Sequence, residues 1–475
     1  MVYLGVDKHF TAIVVLLFLT TVSMHAIDTD EVVKLGLPVL IVETNDSVEP
    51  TCDYVFAPEG AFGIGTANHT KVPGRVLLIE NGDTLFDSGS YVKDRSGMTI
   101  RIRGNTSAYY SDKKPFKIKL EKKNDMLARG DSAYYDKNWA LIRDGDDALH
   151  TMIGNKINEL VGMTYTPAYL YVNVMMNGDY RGIYMLTETI RRNRDCRIDV
   201  DKQTGFIIER DAYWWNEPLY FKSRLNMEYT FKYPDDEDVT TEQLDDISQL
   251  IDKAESAIEQ GTYEQYFDLN RLAAWLLAHD ILGTYDSGGA NIYLTKYDSS
   301  DTSLLSMSTL WDFGSSFRLN NAWSRIHTDP FFYYPYLFDN NNTLFVTTYI
   351  DLWNKRSADL FRHINTFIDD FSTSKTAQAL QLSRPYDHAR WHYNGASVNQ
   401  NVSSLKRWFD QRQKWMQQAV SDLESTNAIV NHNSADAGHT NRSVTYNLSG
   451  QHTTAATRSL LPGIYIRNGR KVVRR

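Results

Sequence analysis

Asp286 and Asn291 stand five residues apart, and Asp312-Phe313-Gly314 follows after two strand-like stretches. A carboxylate that orients an acceptor hydroxyl, an amide oxygen for a divalent cation and a second carboxylate on a returning strand are the working parts of phosphoryl transfer. The first Asp and the Asn must sit at the two ends of one tight loop, and the second Asp must hang from the strand that comes back. Asp286 is thus the candidate catalytic residue, with Asn291 and Asp312 as metal ligands. Magnesium, or manganese in its place, suits such oxygen donors because it keeps several waters and needs few protein ligands. Each piece alone is common turn chemistry. The order helix, Asp, Asn, hairpin, D-F-G carries the reading, although Thr284 and Tyr285 stand where an H-R-D motif would place His and Arg.

Upstream lie candidates for binding a nucleotide. Lys119 closes the strand-like Phe116-Lys117-Ile118-Lys119 and is placed to bridge phosphates as a point charge, whereas Lys117 reads as a solvated lysine. Arg103 belongs to the stretch Arg101 to Ser107, RIRGNTS, which offers two arginines, a glycine and short polar side chains. No G-x-G-x-x-G is present. Glu188 ends a hairpin where a hinge would pass the adenine, and a plain strand-end glutamate fits that position equally well.

The elements that must hold these residues follow from pattern. Residues 114–120 alternate strictly, with Phe116, Ile118 and Leu120 on one face and the two lysines on the other. Strands are expected at 37–44, 75–80 and 99–103, a helix at 147–161, and a hairpin at 168–175 and 180–187 turned by Asn177-Gly178. Further strands are expected at 205–210, 229–233, 291–297 and 304–311, and helices at 240–260 and 269–283. From Asp312 to about residue 425 the pattern is helical. Residues 426–442 read as a linker, and 443–475 as a short β-rich tail.

The chain has 475 residues and a formal charge of −9, which supports a large core and argues against a dedicated nucleic-acid binder. Lys8 and His9, the apolar run 10–20 and a small-residue exit at 23–26 have the plan of a cleavable secretory signal. A secreted, periplasmic or surface location is the expectation, with no membrane span in the mature protein. Cys52 and Cys196 either form one disulfide or remain thiols.

Taken together, RIRGNTS, KKPFKIKL, NWALIRDGDD, MMNGDYRGIYMLTE, GFIIERD, FKYPDD, DSGGAN and LWDFGSSF resemble the CotH family, secreted atypical kinases named after a spore-coat protein. The resemblance spans about residues 37–415. It implies an α+β, atypical two-lobed protein-kinase-like fold: a signal at 1–26, a strand-rich N-lobe at 27–188, a mainly helical C-lobe at 189–425 and the β-rich tail. It implies transfer of phosphate from ATP, with Mg²⁺, to Ser or Thr hydroxyls of a secreted or surface protein. Carried over, Asp286 is the catalytic Asp, Asn291 and Asp312 bind metal, and Lys119 is the nucleotide lysine. Glu159 is the helix glutamate available to pair with Lys119. His150 or Thr151 stands where the family has an Arg, which leaves that pairing open. The tail resembles C-terminal modules of secreted Bacteroidetes proteins, a sorting or attachment element. The competing reading is a non-catalytic adhesion or assembly protein on a kinase-like scaffold. A carbohydrate-active protein, suggested by 10 Trp and 59 acidic residues, lacks a specific pair of opposed carboxylates.

Overall fold

The computed structural model describes residues 27–143, 148–284, 290–318, 332–338, 343–437, 445–447, 452–453, 463–467 and 470–474. A short helix α1 (Thr29–Val33) leads into β1 (Val39–Thr44), β2 (Asp53–Phe56), β3 (Ile64–Ala67), β4 (Val72–Glu80), β5 (Asp83–Asp87) and β6 (Met98–Ile102). Then come α2 (Thr106–Tyr110), β7 (Phe116–Asn124), β8 (Asp136–Arg143), α3 (Ala148–Val161) and the hairpin β9 (Tyr169–Met176) and β10 (Asp179–Glu188). Asn177 and Gly178 take φ of 52° and 80°, the geometry a two-residue hairpin demands.

Eight of these strands form one sheet in the order β1-β9-β10-β8-β7-β6-β4-β5, in which β4 also pairs with β1, while β2 and β3 pair with each other. The β1–β4 pairing closes the sheet into a barrel. Its inside is apolar because alternate residues point inward: Ile100, Ile118, Trp139, Leu141, Val174 and Leu186 are all fully buried. The outward residues of β6 and β7 are therefore free to be polar.

The rest of the chain carries a second sheet and most of the helix. Strands β11 (Phe206–Arg210), β12 (Tyr220–Lys222) and β13 (Glu228–Tyr233) precede α4 (Thr241–Gln260) and α5 (Leu269–Leu282), and β14 (Ile292–Lys296) and β15 (Ser306–Met307) follow. This sheet runs β12-β13-β11-β14-β15. Then come α6 (Tyr334–Phe338), α7 (Thr343–Ser372), α8 (Lys375–Trp391) and α9 (Val398–Ala437). The tail forms β16 (Thr445–Asn447), β17 (His452–Thr453), β18 (Gly463–Arg467) and β19 (Arg470–Arg474), paired as β17-β16-β18-β19. Among the described residues no helix is long and apolar enough to cross a membrane.

Three expectations change. Between the lysine-bearing β7 and α3 the chain adds a strand that was not among those expected, β8, which pairs with β7. Helix α9 continues through most of the expected linker at 426–442, for no glycine or proline interrupts it before Gly438. The expected strand at 304–311 shortens to two residues, and the chain from 308 onward is fastened by side chains described below.

A buried ion pair ties the barrel to the helices. Lys113, in the β6–β7 loop, donates to Asp387 Oδ1 on α8 at 2.7 Å, and both side chains are almost wholly excluded from water. The same oxygen accepts from the Ile183 amide at 3.0 Å. The approach is close enough that a Cβ on Gly182 (φ +87°) would fall 1.7 Å from that oxygen, so only glycine fits there. Asp387→Ala would remove the carboxylate that faces a buried ammonium, with an expected loss of about 3–5 kcal/mol in urea unfolding; an unchanged midpoint would deny the pair this role.

Candidate functional site

Asn291 stands at the foot of β14, and Asp312 ends the stretch that follows β15. Both adopt left-handed backbone, with φ of 59° and 61°. That region costs an ordinary L-residue about 1–2 kcal/mol, and Asn and Asp enter it most readily by virtue of their short polar side chains. Two strained residues on one cleft wall mark a place where geometry outranks local preference.

Helix α3 sets the Asp312 turn. Asn158, fully buried, donates to Tyr165 O at 2.7 Å and Thr166 Oγ1 at 2.6 Å, and accepts from the Leu310 amide at 2.8 Å. One turn earlier, Gly154 makes room for the Phe313 ring, whose nearest carbon would lie 2.2 Å from a Cβ. After the turn, the Gly314 amide donates to Asp312 Oδ1 at 3.3 Å, Ser316 and Thr284 share a hydroxyl hydrogen bond of 2.7 Å, and the Phe317 amide donates to Leu282 O at 3.0 Å. Asp286 lies outside the described residues. Thr284 on one side of it is held to the Asp312 turn through Ser316, and Asn291 on the other lines the same cleft as Asp312.

The cleft between barrel and helical half has a volume of about 1950 Å³, and Arg103, Lys117, Lys119, Asn291 and Asp312 line it together. On the barrel wall Lys117 lies directly opposite Arg101 and Lys119 opposite Thr99. Lys117 is not the solvated lysine expected from the sequence. It is half-buried, and burial, reinforced by Arg101, Arg191, Arg103 and Lys119, pushes its pKa down to about 8. Lys119, the expected nucleotide lysine, is the more exposed of the two. The Arg103 guanidinium sits 5.7 Å from the centre of the Trp311 ring. Burial lowers its pKa, while Tyr293, Asp312 and Glu209 oppose the shift.

Strands β11, β13 and β14 supply an acidic floor. Glu209 stands opposite Tyr293 in register and its Oε2 lies 2.8 Å from Lys232 Nζ. Burial lifts Glu209 to about 7, with Lys232 pulling the other way. For Lys232, burial is outweighed by Glu209, Glu217 and Asp211, and the net shift is upward, so the ammonium is retained.

Two expected residues are placed elsewhere. Glu188 does not line the cleft: it is buried, its Oε1 takes a bond from Arg129 at 2.9 Å, and its Oε2 accepts from Tyr165 Oη at 3.0 Å and the Ala168 amide at 3.1 Å. It ties the end of β10 to its surroundings instead of facing a nucleotide. Glu159 points outward and pairs with Lys156 at 2.9 Å. Cys52 and Cys196 are free thiols. Sequence reasoning missed Asn158, Gly154, Arg191 and the Glu209–Lys232 pair; only the strand alternation around Arg101 and Lys117 hinted at a charged wall.

Among the described residues no three His, Cys, Asp or Glu side chains are grouped as a metal site. Asp312 is exposed to the cleft and Asn291 partly so, a pair of hard oxygen donors that fits magnesium completed by phosphate and water oxygens.

A closed barrel facing a helical half across a cleft with a basic wall and oxygen donors defines an α+β protein suited to a polyanionic ligand. A family model described as CotH kinase protein matches residues 100–416, about two-thirds of the chain, and the chain belongs to that family. A search of curated proteins finds no match. Family membership suggests a kinase-like function.

Two outcomes follow from this geometry. Gly154→Ala should destabilise by about 1–3 kcal/mol in chemical unfolding, despite alanine's better helix propensity, because the added methyl group must displace Phe313. Pyrophosphate affinity should hold below pH 8 and fall, by up to about tenfold per unit, as pH rises through the Lys117 pKa of about 8, since the anion needs the ammonium form. Lys117→Arg should move that decline to higher pH in a calorimetric titration, and a profile unchanged by the substitution would remove Lys117 from the site.

Proposed function

We propose that the protein is an atypical kinase that transfers the γ-phosphoryl group of ATP to a Ser or Thr hydroxyl of another protein. The observation that supports this reading is the pairing of strained Asn291 and Asp312 with a row of cations on the facing wall of the same cleft. Barrel and helical half act in this reading as the two lobes of a kinase.

Arg103, beside Asp312, and Lys117, beside Arg103, would take the phosphates in sequence, with Lys119 and Arg191 farther along. Magnesium held by Asp312 and Asn291 would neutralise charge on the phosphate oxygens. Asp286 orients the acceptor and takes its proton. The acceptor oxygen bonds to the γ-phosphorus, the bond from that phosphorus to the β–γ bridging oxygen breaks, and ADP leaves with the bond's electron pair. Positioning and fixed charge supply most of the rate. Residues 1–26 act as a cleaved export signal in this account, so the acceptor is a secreted or surface protein, and the tail serves attachment or sorting.

The test is transfer of labelled γ-phosphate by purified residues 27–475 with Mg²⁺ or Mn²⁺. Asp286→Ala and Asp312→Ala should each lower incorporation by at least about a hundredfold while leaving the unfolding midpoint in place. No incorporation and no metal-dependent ATP binding by the unmodified chain would leave the adhesion or assembly reading.

A further inference from the structure

The basic wall is wider than one nucleotide requires. Arg101 on β6 is directly opposite Lys117 on β7, and Val72 on β4 is opposite Ile100. Continuing that register by one step sets Lys71 opposite Arg101. Lys71, Arg101 and Lys117 thus form a cross-strand row, each about 4.8 Å from the next in the hydrogen-bonding direction. Like charges placed directly opposite destabilise a sheet. Among the described residues none of the three has a carboxylate within ion-pair distance.

The row has a direction. Lys117, beside Arg103 and hence Asp312, is half-buried, whereas Lys71 is exposed at the cleft mouth. His69 joins the outer end: its Nδ1 is buried without a hydrogen-bond partner, and burial, then Arg101 and Lys71, hold the ring well below its ordinary pKa, at about 4. The acid whose charge acts on Arg101 is Glu217, whose pKa is itself raised by burial, and among the described residues it makes no ion pair with Arg101. The inner cations have a partner in the donor phosphates. Among the described residues the outer ones, Lys71 and Arg101, have no anionic partner, and Arg101 donates only to the Ile102 carbonyl at 3.2 Å.

We infer that Lys71, Arg101 and His69 form a second oxyanion site, which takes a phosphoserine or glutamate of the acceptor polypeptide near the hydroxyl to be phosphorylated. The inference rests on the phosphotransfer reading for the identity of the ligand, though not for the existence of the anion site. Two strand spacings separate Lys71 from Lys117, so the anchoring anion and the donor phosphates occupy neighbouring places on one wall. A product of one transfer would then be the better substrate for the next.

The experiment compares four Ser peptides of one sequence, with a neutral residue, phosphoserine, glutamate or arginine at positions flanking the acceptor. For each, kcat/KM is measured with the full chain, and nucleotide-free binding is measured by fluorescence anisotropy. The phosphoserine peptide should exceed the neutral one by about tenfold or more, with glutamate between them. In Lys71→Ser and Arg101→Ser that ratio should fall towards one, a readout that cancels any general loss of rate. Transfer without preference, preference for arginine, or a ratio unmoved by both substitutions would overturn the site while leaving the kinase reading intact. Anionic-peptide binding that needs Lys71 and Arg101 without any transfer would uphold the site and count against the kinase reading. Absence of both would overturn it.

Discussion

Everything at the site depends on how closely α3 approaches the Asp312 turn. A single missing side chain, at Gly154, lets the Phe313 ring lie against the helix backbone, and Asn158 one turn later pins Leu310. The helix end is fixed in turn by Arg356 of α7, which donates to the carbonyls of Leu160 and Val161 at 2.5 and 3.1 Å. Orphan carbonyls at a helix end are natural acceptors for such a guanidinium. The position of Asp312 is therefore set by contacts that carry no charge to the cleft themselves.

Across the cleft the governing term is electrostatic. A chain with net charge −9 gathers cations on the outer face of β6 and β7, where they repel one another and lose water. The barrel tolerates this because the inward face of the same strands is fully apolar and closed on itself through the β1–β4 pairing. Hydrophobic burial inside offsets repulsion outside. Rigid strands then hold the ammonium and guanidinium groups at fixed spacing, so little reorganisation is needed when an anion arrives.

What could be seen beforehand follows from the range of each interaction. The β9–β10 hairpin was legible because Asn177-Gly178 specifies its own turn, and α4 was expected at 240–260, where the structure adds that Thr240 and Gln243 cap it reciprocally. The alternation around Lys117 and Lys119 was legible too. Its burial was not, since β6, β8 and the segment carrying Arg191 supply the surroundings from distant parts of the chain. Glu188 misled for the same reason: Arg129 and Tyr165, which claim its carboxylate, are far from it in sequence. A glycine inside a helix, Gly154, reads as a weak helix position until Phe313 is brought against it.

The two halves also meet at the cleft's other end. Asn216 donates to Thr66 O at 2.9 Å, and the hydroxyls of Tyr213 and Thr106 are in contact, which joins the β3 region and α2 to the segment after β11. Together with the Lys113–Asp387 pair, this fastens barrel to helical half at separate points. A cleft held from several sides keeps its basic wall and its oxygen donors at one separation. That separation matters because an anion bound to the wall gains from Asp312 and Asn291 only through a cation that both sides reach. The Glu209–Lys232 pair bounds the basic wall on the floor of the cleft, so the cations that lack an ion-pair partner among the described residues lie along β6 and β7.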